Sequence, residues 1–287
     1  MLSATSHRVF GDSTLRTTIF LERRFRAHLI QRDRLLFDSR FSPPAKKQTT
    51  LVHLYVSLEG QFAIGDGPPV SGPQAYVLAE TEFDRVLPGS IKFRSWGAPG
   101  TIVELRVPAA DMRLPIGLAN GPVELPAPVW DAYTALASSP SDQALHELIV
   151  RLGAANVLSS DLTESVVTDE PERFVRLWAV MKPLFEELAT SASLKQIAIV
   201  AKLSLRQLGR DLGELTRTFS LFGTGFRDVM RVLRLRAAVL LLSAPGSTPS
   251  DVARAVGYGS LDAMGRAFRD AALPAPSVVQ DAVRYPA

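Results

Sequence analysis

The stretch Asp251–Arg269 reads DVARAVGYGSLDAMGRAFR and contains the signals for two short helices separated by a tight turn. Gly257 stands where the chain must turn, because glycine adopts a positive φ at little cost. Ser260 is a favourable N-cap for the helix that follows. In that helix Met264 and Phe268 are spaced i, i+4 and form an apolar side, which leaves the other side polar. The stretch therefore predicts a helix-turn-helix unit.

A second unit of the same kind precedes it at Leu194–Leu212. Ser204 followed three residues later by Gln207 has the pattern of a capping box, which marks a fresh helix start after a turn. The spacing i, i+3, i+7 predicts one buried side, formed by Leu205, Leu208 and Leu212. Between the two units, Phe226–Leu242 is an unbroken helical run that would hold them as one rigid body.

The polar sides of the second helices carry residue types that can read bases. Arg pairs bidentately with guanine, and Gln with adenine, in the major groove. From Arg173 to the end there are 16 Lys and Arg against 9 Asp and Glu, whereas residues 1–172 hold 16 against 20. Basic charge therefore gathers in the C-terminal part, where phosphates would be its partner. Two such units together with this charge favour a module that binds double-stranded DNA over an ordinary helical bundle without that function.

The region from about Phe174 to Arg284 resembles the DNA-binding domain of AraC/XylS-type regulators. The resemblance rests on Val252–Tyr258, on Arg266–Arg269, on Pro276-Ser277 before the last helix, and on the Arg-Leu-x-x-Ala pattern of residues 234–238. It implies that the second helix of each unit enters a major groove, and that the two helices contact adjacent grooves about 34 Å apart. With Gln207 added for its chemistry, the expected DNA contacts are Arg206, Gln207, Arg210, Ser260, Leu261, Asp262 and Arg266.

Some residues of this region have two interpretations. Asp262 can accept a hydrogen bond from cytosine N4, or it can be a helix N-terminal charge that the helix dipole favours. Gly209 and Gly213 each cost about 1 kcal/mol relative to Ala inside a helix. They would allow close approach of the backbone to DNA or to another helix. Alternatively, the first unit is partly degraded, since about half a dozen residues are inserted within 213–225 relative to the family pattern.

The N-terminal part reads as short strands separated by turns, from about Thr17 to Val107. Turn signals such as Glu59-Gly60 and Pro88-Gly89 recur at roughly ten-residue spacing, which is typical of a sandwich or small barrel. Helical periodicity returns at about 126–160. The predicted fold class is α+β, with an N-terminal cupin-like β-barrel and helices, followed by an all-α double helix-turn-helix domain. The predicted division is 1–160 for sensing and dimerisation, 161–171 for a linker, and 172–287 for DNA binding.

The strands contain candidates for a ligand site. His53 and Tyr55 share one face of Leu51–Leu58 and would line a mixed polar and apolar pocket. Arg94 and Trp96 lie together on a later strand and would hold an anion or an aromatic ring. The arginines of 22–26 and 32–34 would attract an anionic effector, although such runs are more often solvated surface. A small-molecule effector is thus an expected partner.

An apolar stripe marks the helical segment Val129–Leu158. Its members are Leu136, Leu145, Leu148, Ile149, Leu152 and Val157. The stripe would pack on the barrel or form a dimer seam. The family resemblance favours a homodimer, and it implies RNA polymerase as a further partner.

Composition argues against several other functions. The absence of cysteine excludes disulfides and thiolate chemistry. The four histidines (7, 28, 53 and 146) are scattered, with no H-x-H pair and no Ser-His-Asp signature, so we expect no metal, no cofactor and no enzyme activity. No apolar run of about 18 residues and no signal peptide are found, and we expect a cytoplasmic protein. Three alternatives remain: a cupin-type enzyme with a helical domain, a regulator controlled by a protein partner, and an interaction module that has lost DNA binding.

Overall fold

The chain is described from a computed structural model, which covers residues 1–43, 51–83, 92–166, 170–190, 193–219, 221 and 225–285. Within these ranges an eight-stranded sheet comes first and ten helices follow it. The strands are β1 (Leu2–Phe10), β2 (Ser13–Leu21), β3 (Arg26–Asp33), β4 (Leu35–Asp38), β5 (Leu51–Ile64), β6 (Val70–Ser71), β7 (Gln74–Ala79) and β8 (Phe93–Pro108). The strand region thus begins before the predicted start at Thr17, because β1 is a full strand.

The helices divide into a group that follows the sheet directly and a larger C-terminal group. The first group is α1 (Ala127–Ser138), α2 (Asp142–Ala154) and α3 (Ser160–Glu164). The second group is α4 (Glu172–Glu186), α5 (Leu194–Ala201), α6 (Leu205–Thr218), α7 (Phe226–Leu242), α8 (Pro249–Ala255), α9 (Leu261–Asp270) and α10 (Pro276–Ala282). Helix α3 lies within the predicted linker, and its Leu162 is fully buried. The domain boundaries themselves stay a prediction.

The sheet is antiparallel and open. Its hydrogen-bonded order is β1-β2-β3-β8-β5-β6, with β4 also paired to β8 and β7 to β5. The α+β class is confirmed, but the predicted barrel is not closed, since β1 stands at one end of this order and β6 at the other. Helix α4 covers the free side of β1, where the indole N–H of Trp178 donates to the carbonyl oxygen of Ser3 at 3.1 Å. A helix therefore occupies the edge that a closed barrel would use for strand pairing.

Strand β5 continues through the predicted turn at Glu59-Gly60. It pairs with β8 from Leu51 to Ile64, and its register shifts on either side of Glu59. Gly60 has φ +102°, and a Cβ there would lie 2.6 Å from the carbonyl oxygen of Trp96. The glycine thus produces a bulge that bends one long strand. The prediction of a turn was wrong at this point. The predicted turn at Pro88-Gly89 lies outside the described residues.

One face of the sheet packs against α1 and α2. The apolar stripe predicted on these helices is at most 2% exposed and forms a core with Val52, Leu54 and Val56 of β5. Of the two interpretations offered for the stripe, packing on the sheet of its own chain is therefore the one that the structure shows. The stripe is unavailable for a dimer seam, because its side chains are already covered.

The opposite face of the sheet packs against the C-terminal helices. One apolar core joins Leu15, Ile19 and Leu36 of the sheet to residues of α4 and α7. The backbone N–H of Leu36 donates to the hydroxyl oxygen of Ser243 at 2.8 Å in a buried position. The sheet and the C-terminal helices thus share a continuous interior. No helix in the described part of the chain is long and apolar enough to cross a membrane.

Candidate DNA interface and ligand cavity

The first helix-turn-helix unit consists of α5 and α6. A complete capping box starts α5, in which Ser193 and Gln196 each bond the backbone N–H of the other. Helix α5 ends at Lys202, which adopts the left-handed conformation with φ +54°. Ser204 then caps α6 by accepting from the N–H of Gln207 at 3.2 Å. The predicted helix start at Ser204 is confirmed, while the reciprocal box forms one helix earlier.

Helix α6 buries one side and leaves the other exposed. Leu208 and Leu212 are buried, as the spacing predicted. Leu205 was expected to join them but is 57% exposed, because it is the first residue of the helix and no neighbour covers it. The side chains expected to contact DNA all lie on exposed positions, and they are Arg206, Gln207 and Arg210.

The second unit consists of α8 and α9, joined by a turn at Gly257. This residue has φ +84°, and a Cβ there would lie 2.9 Å from the Cα of Ala189 and closer still to the carbonyl oxygen of Leu188. Glycine is therefore required both for the conformation and for the space. Ser260 caps α9 by accepting from the N–H of Ala263 at 3.1 Å.

Helix α9 follows the predicted division into two sides. Met264 and Phe268 are fully buried. The residues expected to contact DNA are exposed, and they are Ser260, Leu261, Asp262 and Arg266. Asp262 lies in the first turn of α9, where the helix dipole stabilises a negative charge.

Helix α7 connects the two units and also faces the sheet. The fully buried Leu235 and Ala238 belong to the same core as Leu208 of the first unit and Phe268 of the second. The guanidinium of Arg234 donates to the carbonyl oxygens of residues 188 and 190, at 3.1 and 3.3 Å, which ties α7 to the loop after α4. Both units thus share one apolar core with α7, which the second unit contacts directly and the first unit joins mainly through α4.

A cavity of about 350 Å³ lies between the sheet and helices α4 and α7. Its apolar wall includes Ile30 and Ile102 of the sheet and Leu233 and Leu240 of α7. The polar groups that line it within the described residues include three guanidinium groups and two carboxylates, namely Arg8, Arg32, Arg236, Glu80 and Glu104.

A buried polar cluster stands at the sheet side of this cavity. Strand register places Glu104 directly opposite His28 on β3 and Tyr55 on β5. His53 contacts two carboxylates, with Nε2 at 2.7 Å from Glu80 and Nδ1 against Glu104. Two of the four histidines, His28 and His53, which are far apart in the sequence, are therefore brought to the same cluster around Glu104. Among the described residues, no group of three or more metal-ligating side chains is arranged to hold an ion.

Burial and neighbouring charges set the protonation states in the cluster. Burial, together with the nearby charge of Arg26, lowers the pKa of His28 to about 3, so this imidazole is neutral at pH 7. Although burial alone would raise it, the pKa of Glu104 lies well below its usual value because His53 stabilises the carboxylate. Burial lowers the pKa of Arg236 to about 10, against the opposing effect of Glu104. Arg236 therefore remains charged and faces the carboxylates of the sheet from α7.

The four predicted ligand residues do not all reach this cavity. His53 and Tyr55 line it, while Arg94 and Trp96 are not among the residues found around it. Ser95, which lies between them, bonds the phenol of Tyr55 at 3.1 Å. Because side chains alternate along a strand, Arg94 and Trp96 point away from the Tyr55 side of the sheet. Arg94 and Trp96 therefore do not belong to this cavity, and a ligand contact at this pair stays a prediction.

Sequence reasoning missed other residues of the cavity. Arg32 lines it, and Arg26 lies two residues from His28 on the same face of β3 without lining it; both were considered more typical of solvated surface, but both are only 4% exposed. Their alternation with His28 and Ile30 on β3 was a usable signal, since these residues share one face. Arg236 had no such signal, because its place in the cavity depends on how α7 docks against the sheet.

The two helix-turn-helix units, with exposed arginines on a common core, are those of a DNA-binding transcription regulator, and the sequence comparison agrees. Residues 205–282 match the family model of a helix-turn-helix domain, which runs from α6 to the end of α10 and covers less than a third of the chain. The expected AraC type of this C-terminal domain is confirmed. A comparison with curated proteins gives no match.

Several solved structures are similar to this chain. ToxT from Vibrio cholerae is 9% identical, with 91% of this chain and 99% of that chain covered and a TM-score of 0.37. A DNA-binding transcriptional dual regulator from Escherichia coli K-12 is 21% identical over 41% of this chain and 96% of its own, with a TM-score of 0.31. The AraC-like transcriptional activator CuxR is 11% identical over 80% and 84%, also with a TM-score of 0.31. At these TM-scores the likenesses support no conclusion about ligand or mechanism.

Proposed function

We propose that this protein is a sequence-specific transcriptional regulator in which α6 and α9 read adjacent major grooves of DNA. The observation that carries the proposal is the pair of capped second helices, each with one buried side and one exposed side that bears arginine. Both helices belong to the apolar core that also contains α7, which supports simultaneous engagement of two grooves on one face of the duplex. Homodimerisation and contact with RNA polymerase, which the family resemblance implies, remain predictions.

DNA reading is tested with DNA selected by the protein itself. Genomic fragments bound by the purified chain are sequenced, and the shared site is used for fluorescence anisotropy. Arg266→Ala should then weaken binding by about 1–3 kcal/mol, which is the range for one base-reading arginine. Arg151→Ala, on the exposed side of α2, removes the same charge far from α9 and should leave the affinity unchanged. Equal affinities for wild type and Arg266→Ala would contradict the proposal.

We further propose that a small molecule in the cavity controls DNA binding. The cavity size is within the range of small-molecule sites, and its walls come from both the sheet and the helices that carry the DNA-reading units. Leu188 supports a route between the two sites. Leu188 lines the cavity, and its carbonyl oxygen accepts a hydrogen bond from Arg234. The turn at Gly257 lies against the same carbonyl oxygen. A ligand that shifts this loop would therefore shift the second unit.

The charges around the cavity favour an anionic effector with an apolar body. Three arginines line it against two glutamates, and a buried charge without a partner is costly. Nε and Nη2 of Arg8, and Nε of Arg32, have no hydrogen-bond partner in the described part of the chain. A carboxylate is the group that such guanidinium donors bind best, because it can accept two parallel hydrogen bonds.

The effector proposal is tested with matched pairs of aliphatic and aryl carboxylic acids and their neutral amides. The acids should change the DNA affinity of the chain, and the amides should not. In Arg8→Leu, the acid concentration needed for the same change in DNA affinity should rise by about 10- to 100-fold, because a hydrogen bond to a charged group contributes about 1.5–3 kcal/mol. Arg16→Leu removes an exposed arginine of β2 that is not part of the cavity wall and is the control. If acids and amides act alike, the proposed charge recognition is wrong.

A further inference from the structure

The two DNA-reading helices repeat the same short pattern. Counted from the N-cap, the first unit reads SLRQLGR (Ser204–Arg210) and the second reads SLDAMGR (Ser260–Arg266). Serine, leucine, glycine and arginine recur at identical positions, and the fifth position is buried and apolar in both, as Leu208 and Met264. The third and fourth positions differ between the two helices.

The repeated positions are also equivalent in three dimensions. Each N-cap serine accepts from the N–H three residues later, at 3.2 Å in α6 and 3.1 Å in α9. Each preceding helix ends in a left-handed residue, Lys202 or Gly257, whose successor donates to the carbonyl oxygen five residues before it. The turns differ by one residue, since Leu203 alone separates Lys202 from Ser204, whereas two residues separate Gly257 from Ser260. The cap hydrogen bonds are equivalent and the fifth position is buried in both helices, so a given position lies at the same angle from the buried side in both units.

The glycines at the sixth position have no explanation in the contacts of the described residues. Glycine inside a helix costs about 0.5–1 kcal/mol relative to alanine. Neither Gly209 nor Gly265 has a positive φ, so the backbone does not require glycine. A Cβ built at either position meets no heavy atom within 4 Å, so internal packing does not require it either. For Gly209, the sequence left open a close approach of the backbone to DNA or to another helix. The free space around its Cβ position excludes close packing on another helix of the described structure.

The leucine four residues before each glycine and the arginine directly after it are exposed. The leucine one turn earlier is exposed in both helices, at 57% for Leu205 and 40% for Leu261. The following arginine is exposed as well, and the side chain of Arg210 is 72% accessible. Positions i and i+4 lie above one another on a helix, whereas i+5 is rotated by about 100° from i+4. In each unit, leucine and glycine therefore lie on one side and arginine on the adjoining exposed side, and the three form an outer surface that spans about 140° of the helix.

We infer that this leucine–glycine–arginine surface makes the same DNA contact twice, with glycine bringing the helix backbone close to the base edges. This rests on the proposed DNA-reading function and adds to it the class of operator. The arginine is suited to guanine and the leucine to the methyl group of thymine. The operator then contains two sub-sites, about one helical turn apart, that share these bases. The sub-sites differ where Arg206-Gln207 is replaced by Asp262-Ala263.

The glycines provide a test that separates folding from DNA binding. Gly209→Ala and Gly265→Ala should each leave the thermal midpoint unchanged or raise it, because alanine is the better helix former and has free space. Each should nevertheless weaken binding to the selected site by about tenfold or more, as a methyl group held between helix and bases separates the surfaces. Thr134→Ala on the exposed side of α1 also improves helix propensity and should not change DNA affinity.

Every outcome decides the inference. Alanine variants that remain folded and bind the site as tightly as wild type would overturn it, and would leave the proposed function intact. A wild-type chain that selects no DNA would overturn the proposed function and the inference with it. The selected sequences add a second criterion, since Arg210→Ala and Arg266→Ala should each relax the preference at one guanine, in different sub-sites. Sub-sites that share no base would also contradict the inference.

Discussion

The turn of the second unit offers the sharpest test of the structure, because two neighbouring glycines have opposite requirements. Gly257 has φ +84°, and an added Cβ would crowd the backbone of residues 188 and 189. The left-handed conformation costs a non-glycine residue about 1–2 kcal/mol. Overpacking against fixed backbone costs about 1–3 kcal/mol more. Gly257→Ala should therefore lower the free energy of unfolding by about 2–5 kcal/mol.

Gly259 is the matched control for this substitution. It lies two residues further along the same turn, outside the left-handed region, and a Cβ there would meet no atom within 4 Å. Gly259→Ala should change the free energy of unfolding by no more than about 0.5 kcal/mol, as for other exposed positions. Urea denaturation followed by far-ultraviolet circular dichroism measures both variants. Equal midpoints for the two variants would refute the close contact between this turn and the loop after α4.

Three further predictions concern the core, the docking of the sheet and the polar cluster. Phe268→Ala should lower the free energy of unfolding by about 3–5 kcal/mol in the same denaturation assay, because the ring is fully buried. Ser243→Ala leaves the buried N–H of Leu36 without its acceptor and should cost about 1–3 kcal/mol; no loss would show that water replaces the hydroxyl. The pKa of His28 is about 3 in the folded chain, below its unfolded value of about 6.5, so only the unfolded chain binds this proton between these values. Wild type should thus lose stability as the pH falls from about 6.5 to 3, and His28→Gln should lose less over that range when urea midpoints are compared.

Helix α7 lies between the DNA-reading units and the cavity proposed to bind the effector. The helix packs on α8 and α9 and shares an apolar core with α5 and α6, and it also forms the wall of the cavity opposite the sheet. The charge of its Arg236 is stabilised electrostatically by Glu104, a residue of the central strand β8 that lines the same cavity. A ligand that enters the cavity must change the surroundings of this charged pair. The same helix would then transmit the change to both DNA-reading units.

Much of the C-terminal region could be predicted because its signals are local. Serine caps, the glycine turn and the i, i+4 apolar pairs act within one or two helical turns, so neighbouring residues suffice to specify them. Helix α7 has the predicted bounds, Phe226–Leu242, and the turn at Gly257 has the predicted positive φ. Leu205 departs from the pattern for an equally simple reason: periodicity gives the direction of a side chain, but not whether a neighbour reaches it.

The two helix-turn-helix units, the arginines on their exposed sides and the face of β5 that bears His53 and Tyr55 were predictable from the amino-acid sequence. The open sheet, the packing of the α1 and α2 stripe on it, and the entry of Arg236 into a cavity lined by Glu104 depend on contacts between distant segments. These features differ in the range of the interactions that form them. Caps and turns join residues a few positions apart, whereas Arg236 and Glu104 are brought together by strand register and by the docking of a distant helix, and no local pattern encodes that docking.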